Sequence, residues 1–259
     1  MTYRGAVVDL DGTVYRGDSP IPGAVEGIET LRAAGIDPVY VSNNPAESPE
    51  AYAATLGEMG VPVEASRILS AGVITTKFLV ENHRTDDLFV IGSGGLRTQL
   101  RRAGLGVTAD PASCDVLVAS WDPEFGYGDM VDALRADDGT SFYGTDPDRT
   151  VPREDGLMPG SGAIINAVAG VLEREPDRIL GKPSGTAVEA VLEVLGVDPG
   201  ECLVVGDRLD TDLAMGERAG MTTVLVLTGV TDRARLERAD FSPDYVLDSL
   251  ADIGDVLDR

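Results

Sequence analysis

The segment Val7-Val8-Asp9-Leu10-Asp11-Gly12-Thr13 carries two carboxylates, two residues apart, where an apolar run gives way to a turn dipeptide. A carboxylate at the end of a strand that reads as buried needs a partner, because an unpaired charge removed from water is costly. Ligands of open α/β sheets gather at such carboxyl ends of strands. A turn explains Gly12 but gives no structural reason for Asp9. Three further segments supply groups suited to holding a phosphoryl group. Ser42-Asn43-Asn44 follows Val39-Tyr40-Val41 and offers hydroxyl and amide donors, although the same residues also cap helices and turns. Gly181-Lys182-Pro183-Ser184 puts an ammonium just ahead of a helical pattern. Gly206-Asp207-Arg208-Leu209-Asp210-Thr211-Asp212 ends the apolar run Leu203-Val204-Val205 with three more carboxylates.

To bring these four segments together, the strands that carry them must end on one edge. Short apolar runs alternate with helical patterns throughout, the order expected of a doubly wound parallel sheet with helices on both faces. Strands are predicted at 6–10, 38–41, 88–91, 116–119, 141–143, 202–205, 222–227 and 245–247. Ala24, Ile28 and Leu31 recur at helical spacing, as do Ala187, Val191 and Leu195. The densest turn chemistry lies in 144–148 and 152–162, the second leading into an apolar helix near Ala163. A length of 259 residues fits one large domain or two of modest size.

The charge balance excludes some partners. With 44 acidic against 21 basic residues the net charge is -23, so a nucleic-acid partner is not expected. Lys77 and Lys182 are the only lysines. A carboxylated surface nearly without lysine is what a halophilic, salt-adapted protein would carry, since salt screens its self-repulsion. A melting temperature that rises with KCl is therefore expected, as the screening length falls from about 30 Å at 0.01 M to about 3 Å at 1 M. A melting temperature independent of KCl would leave genome composition as the better account. Cys114 and Cys202 are too few for a disulfide framework and lack metal-ligand spacing. No run reaches the roughly 18 apolar residues of a membrane span, and no leader precedes the first strand, so a cytoplasmic protein without membrane contact is expected.

The four segments, in this order, resemble the haloacid dehalogenase-like hydrolase superfamily over almost the whole chain. Tyr15-Arg16-Gly17, Ile21-Pro22-Gly23-Ala24, Val90-Ile91-Gly92, residues 121–127 (WDPEFGY) and Gly156-Leu157-Met158-Pro159-Gly160 are similar to subfamily IIA. That subfamily includes the nucleotide phosphatase of the N-acetylglucosamine operon and the para-nitrophenyl, phosphoglycolate and pyridoxal phosphate phosphatases. The resemblance implies a Rossmann-like core at 1–82 and 178–259, with a C2-type α/β cap inserted at 83–177. It implies a phosphatase that acts on small-molecule phosphomonoesters with Mg²⁺. Asp9 would be the nucleophile and Asp11 the general acid and base. Ser42, the Asn43 backbone and Lys182 would hold the phosphate oxygens. The Asp9 and Asp207 side chains and the Asp11 carbonyl would hold the metal, with Asp212 orienting that shell. Asp146 and Asp148 would contact substrate from the cap. Asp146 stands where the family usually has asparagine, and Pro45 where a small hydroxyl residue is common.

A phosphotransferase or mutase on the same core, or a phospho-receiver module, is the competing reading. The receiver is about half this length and lacks a second aspartate two residues after the first. The sequence allows a homodimer as well as a monomer. Gly92-Ser93-Gly94-Gly95 lacks the last glycine of a dinucleotide loop, since Arg97 takes its place. His83, the only histidine, is expected at the surface, and Trp121 and Phe125 in packing.

Overall fold

The computed structural model describes residues 3–136, 139–153 and 156–257. Its contacts divide the chain into two compact units. The first comprises Met1–Ser42, Pro49–Leu69 and Lys182–Arg259, and the second comprises Asn43–Ser48 and Ser70–Gly181.

The first unit is built on a sheet with the strand order Tyr245–Leu247, Thr222–Val226, Cys202–Gly206, Gly5–Asp9, Val39–Ser42, Ile68–Ser70. From Tyr245–Leu247 to Val39–Ser42 every pairing is parallel. Every residue of Gly5–Asp9 is buried, as befits a central strand covered on both faces. Its residues Ala6 and Val8, with Leu10 just beyond its end, join Leu203, Val205, Val224 and Val226 in one cluster. The helix Ala24–Ala33 adds Ile28 and Leu31 to that cluster, and the helix Pro49–Glu58 adds Tyr52 and Leu56. Burial of each such aliphatic side chain stabilises the fold by roughly 1.5–3 kcal/mol. The helix Gly185–Leu195 also packs on this sheet, with Ser184 capping it by accepting from the Ala187 amide.

The chain leaves Gly5–Asp9 for Val39–Ser42 on one side and later returns to Cys202–Gly206 on the other. Gly5–Asp9 therefore lies at the point where the strand order reverses, and register fixes what lies beside its end. Asp9 is level with Val41, and Val8 with Val205. Asp9 is thus flanked by Ser42 on one side and by the Gly206-Asp207 step on the other.

The second unit has its own parallel sheet, in the order Arg178–Ile179, Ser141–Gly144, Val116–Ala119, Asp87–Ile91, Gly106–Val107. The helix Ala71–Asn82 belongs here, since Phe78 and Leu79 pack with Leu88, Val90, Leu96 and Leu100. Leu180 lies in the same cluster, and Arg178–Ile179 pairs with Ser141–Gly144. The division by contacts falls at 42/43, 48/49, 69/70 and 181/182.

Two expectations change. The stretch 152–162, read as loop, contributes to an antiparallel hairpin of Thr150–Arg153 and Gly156–Pro159, followed by the helix Ser161–Leu172. An isolated ribbon of four-residue strands leaves too short a pattern to register as one. His83 is only partly exposed. Its ring lies between Asp86 Oδ2, 2.8 Å from Nδ1, and the Tyr143 hydroxyl, 2.9 Å from Nε2, beside the Phe78 ring. Among the described residues no helix is long and apolar enough to cross a membrane.

Candidate active site

The strand Gly5–Asp9 ends in a tight turn in which the Val14 amide donates to the Leu10 carbonyl and the Gly12 amide to the Tyr15 carbonyl. Gly12 has φ +89°, which favours glycine, and an added Cβ would lie 2.8 Å from Asp207 Oδ2. Gly229 faces the same oxygen from the loop after Thr222–Val226, where a Cβ would fall 1.9 Å from it. Two glycines therefore let two backbones close around Asp207. The Val230 amide donates to its Oδ2.

At the sheet edge Asp9, Asp207 and Asp212 converge, with one carboxylate oxygen of each within 4.8 Å of the others. All three are buried. The cation among them is Lys182, whose Nζ donates to Asp9 Oδ1 at 2.5 Å, to Asp212 Oδ1 at 2.6 Å and to the Val41 carbonyl at 3.2 Å. Asp212 Oδ2 accepts from the Arg208 amide at 3.1 Å, a contact produced by the π-helical turn Leu209–Leu213. Both oxygens of Asp212 are thus engaged. Asp9 Oδ2 accepts from Thr13 Oγ1 at 3.2 Å. Asp207 Oδ1 is buried without a hydrogen-bond partner.

The electrostatics follow from this crowding. Burial first, and then the Asp212 and Asp207 charges, raise Asp9 well above the usual carboxylate range, against the opposing pull of Lys182. Asp207 is pushed up to about 7, mainly by burial and then by Asp212. Burial alone would lower Lys182, but Asp212 and Asp9 outweigh it, so the ammonium is held more firmly protonated than usual. One cation among three carboxylates leaves excess negative charge. The oxygen donors, the orphaned Asp207 Oδ1 and that excess charge suit a hard divalent cation such as Mg²⁺.

The structure brings together Asp9, Lys182, Asp207 and Asp212, with Ser42 buried at the end of the neighbouring strand. Asn43 follows Ser42 directly. The Asp11 side chain lies outside the carboxylate group. It is exposed, with the Tyr15 hydroxyl 3.5 Å from its Oδ2. Lys182 donates to Asp9, Asp212 and Val41, so it places positive charge beside Asp9 in this arrangement.

The two residues expected to meet substrate differ. Asp146 is 1% exposed and accepts from Thr145 Oγ1 at 3.0 Å and from the Asp148 amide at 3.2 Å. Burial, and next the Asp148 charge, push it up to about 8. A side chain sealed this way serves its own loop in this structure, whereas Asp148 is partly exposed. Sequence reasoning missed Thr13, Tyr52, whose hydroxyl donates to Ser42 Oγ, and the Gly229-Val230 step. Gly229, two residues after an apolar strand run, was the only available signal for the last.

Residues 6–106 match the family described as haloacid dehalogenase-like hydrolase, and residues 179–253 match a second family of similar, HAD-hydrolase-like description. The chain is 35% identical over 250 residues to the sugar-phosphatase AraL of Bacillus subtilis, covering 96% of this chain and 91% of that protein. It is 34% identical to an acid sugar phosphatase of Staphylococcus aureus, covering 94% and 93%. Among solved structures, a p-nitrophenyl phosphatase from Archaeoglobus fulgidus superposes with a TM-score of 0.94 at 37% identity, covering 99% of this chain and 100% of that one. A 4-nitrophenylphosphatase from Thermotoga maritima gives 0.91 at 31%, covering 98% and 97%.

Proposed function

This chain belongs to the haloacid dehalogenase-like hydrolase family and is a phosphoric monoester hydrolase, and from that premise we propose that it works through an aspartyl phosphate on Asp9. The observation that carries this is a buried carboxylate at the strand-order reversal, clasped by Lys182 and facing Asp207. Burial and the Asp212 and Asp207 charges favour the protonated form of Asp9, and Lys182, together with a bound divalent cation, would oppose them and favour the carboxylate that attacks. In the first step an Asp9 oxygen bonds to phosphorus as the ester P–O bond breaks, and Asp11 gives its proton to the leaving oxygen. In the second, Asp11 takes a proton from water as the water oxygen bonds to phosphorus and the bond to Asp9 breaks. The exposed position of Asp11 suits it to meet leaving groups of different shape.

Ser42 and the Asn43 amide hold phosphate oxygens whose charge rises in the transition state. Lys182 places positive charge beside Asp9, and Asp212 holds Lys182. The Asp9 and Asp207 side chains and the Asp11 carbonyl would hold Mg²⁺, which offsets the repulsion between the Asp9 carboxylate and a phosphate dianion. The second unit would be the cap that selects substrate, with Asp148 a candidate for contact and Asp146 supporting its loop.

Because two relatives are named as sugar phosphatases and two as p-nitrophenyl phosphatases, the test is phosphate release from a panel of sugar phosphates and p-nitrophenyl phosphate with Mg²⁺. Repeated turnover of at least one ester without an added acceptor is expected. Release of no more than one phosphate per chain would overturn the hydrolytic reading.

A further inference from the structure

Ser42 Oγ can accept two hydrogen bonds but has one hydrogen to give. To serve a phosphate oxygen, that hydrogen must point at the anion. Ten residues on, the helix Pro49–Glu58 buries Tyr52 and Leu56 on one face, an i, i+4 pair. The Tyr52 ring lies in the apolar cluster with Leu56, and the residue is 1% exposed. Phenylalanine would fill that space as well, so packing does not account for the hydroxyl. A hydroxyl sealed in a core costs free energy unless it is bonded, and the Tyr52 hydroxyl donates to Ser42 Oγ at 3.3 Å. Between a phenol and an alkyl alcohol, the more acidic phenol is the better donor.

We propose that Tyr52 is a positioning residue for phosphate binding: by donating to Ser42 Oγ it fixes that side chain and turns the serine's own hydrogen towards the substrate's phosphate. This rests on the reading of Ser42 as a phosphate ligand. The separation is long for a hydroxyl pair, whose usual value is about 2.7–2.8 Å. Hydrogen bonds of catalytic groups tighten when the reacting ligand is in place. As negative charge on the phosphate draws the serine hydrogen outward, Oγ becomes a better acceptor, and the bond from Tyr52 strengthens with it. The two bonds therefore reinforce one another when the charge is greatest, in the transition state.

The test is a double-mutant cycle with p-nitrophenyl phosphate as the probe substrate, comparing Tyr52→Phe in the parent enzyme and in Ser42→Ala. In the parent, Tyr52→Phe is expected to lower kcat by roughly three- to tenfold, the worth of one hydrogen bond, with KM changed less than about twofold. In the Ser42→Ala background the same substitution is expected to change kcat by less than about 1.5-fold, because the serine oxygen it acts through is gone. A purely structural role would give the same factor in both backgrounds, and that result, or no loss in the parent, overturns the inference and leaves the role of Ser42 standing. Parent-like activity in Ser42→Ala alone overturns both.

Discussion

Asp9→Asn is expected to leave the fold intact and to lower turnover by several orders of magnitude. An amide is a poor nucleophile, and no neighbouring carboxylate replaces Asp9. Asp212 is already bonded through both oxygens, to Lys182 and to the Arg208 amide. Asp207 is fixed by the Val230 amide and wedged between Gly12 and Gly229. Removing one partner of a buried ion pair commonly costs about 3–5 kcal/mol. Here that cost is softened, because Lys182 keeps Asp212 and Asp9 no longer repels two like charges. The metal-free variant should therefore melt within a few degrees of the parent. A folded Asp9→Asn enzyme turning over near the parent rate would remove Asp9 as the nucleophile.

Chelation is expected to abolish phosphate release, and Mg²⁺ to restore it. Calcium should occupy the same oxygen donors with a larger and looser shell and inhibit. An independent reading comes from melting. A ligand at 100 times its Kd stabilises a protein by about 2.7 kcal/mol, and for a chain of this size each kcal/mol moves Tm by roughly 2–4 °C. Saturating Mg²⁺ should thus raise Tm by about 5 °C or more in the parent and by much less in Asp207→Asn, where the orphaned Oδ1 is no longer part of a carboxylate. Full activity in a verified metal-free sample, or an Asp207→Asn variant stabilised as strongly as the parent, would remove the metal from this account.

The sequence shows Asp9 and Asp207 plainly because each interrupts an apolar strand with a charge that packing cannot explain. Lys182 stands out through the scarcity of lysine. The eight strands expected from apolar runs all occur, to within about a residue at their ends. The strands it hides are short: Tyr15–Arg16, Ser19–Pro20, Ile68–Ser70, Gly106–Val107 and Arg178–Ile179 carry two or three residues each, and those of the hairpin Thr150–Arg153 and Gly156–Pro159 carry four, too few for a pattern. Tyr52 was hidden for another reason. Its spacing with Leu56 reads as core, which is true of the ring and silent about the hydroxyl. The Val230 amide meets Asp207 across a fold that only three dimensions bring together, whereas Thr13 reaches Asp9 through the local turn. The burial of Asp146 was not legible either, because a likeness between sequences marks a position and not its surroundings.

The way the first unit is threaded has a consequence for synthesis on the ribosome. Gly5–Asp9 emerges well before its neighbour Cys202–Gly206 and the clasping Lys182 and Asp212, which come only after the whole second unit has been made. Until then a fully buried strand has one edge without its native partner, a state open to wrong pairing. The inserted unit has a complete parallel sheet of its own, so it can settle while the first strand waits. The nucleophile's surroundings are completed only when Lys182, Asp207 and Asp212 have been made, and no nascent product that stops short of them carries an assembled catalytic centre.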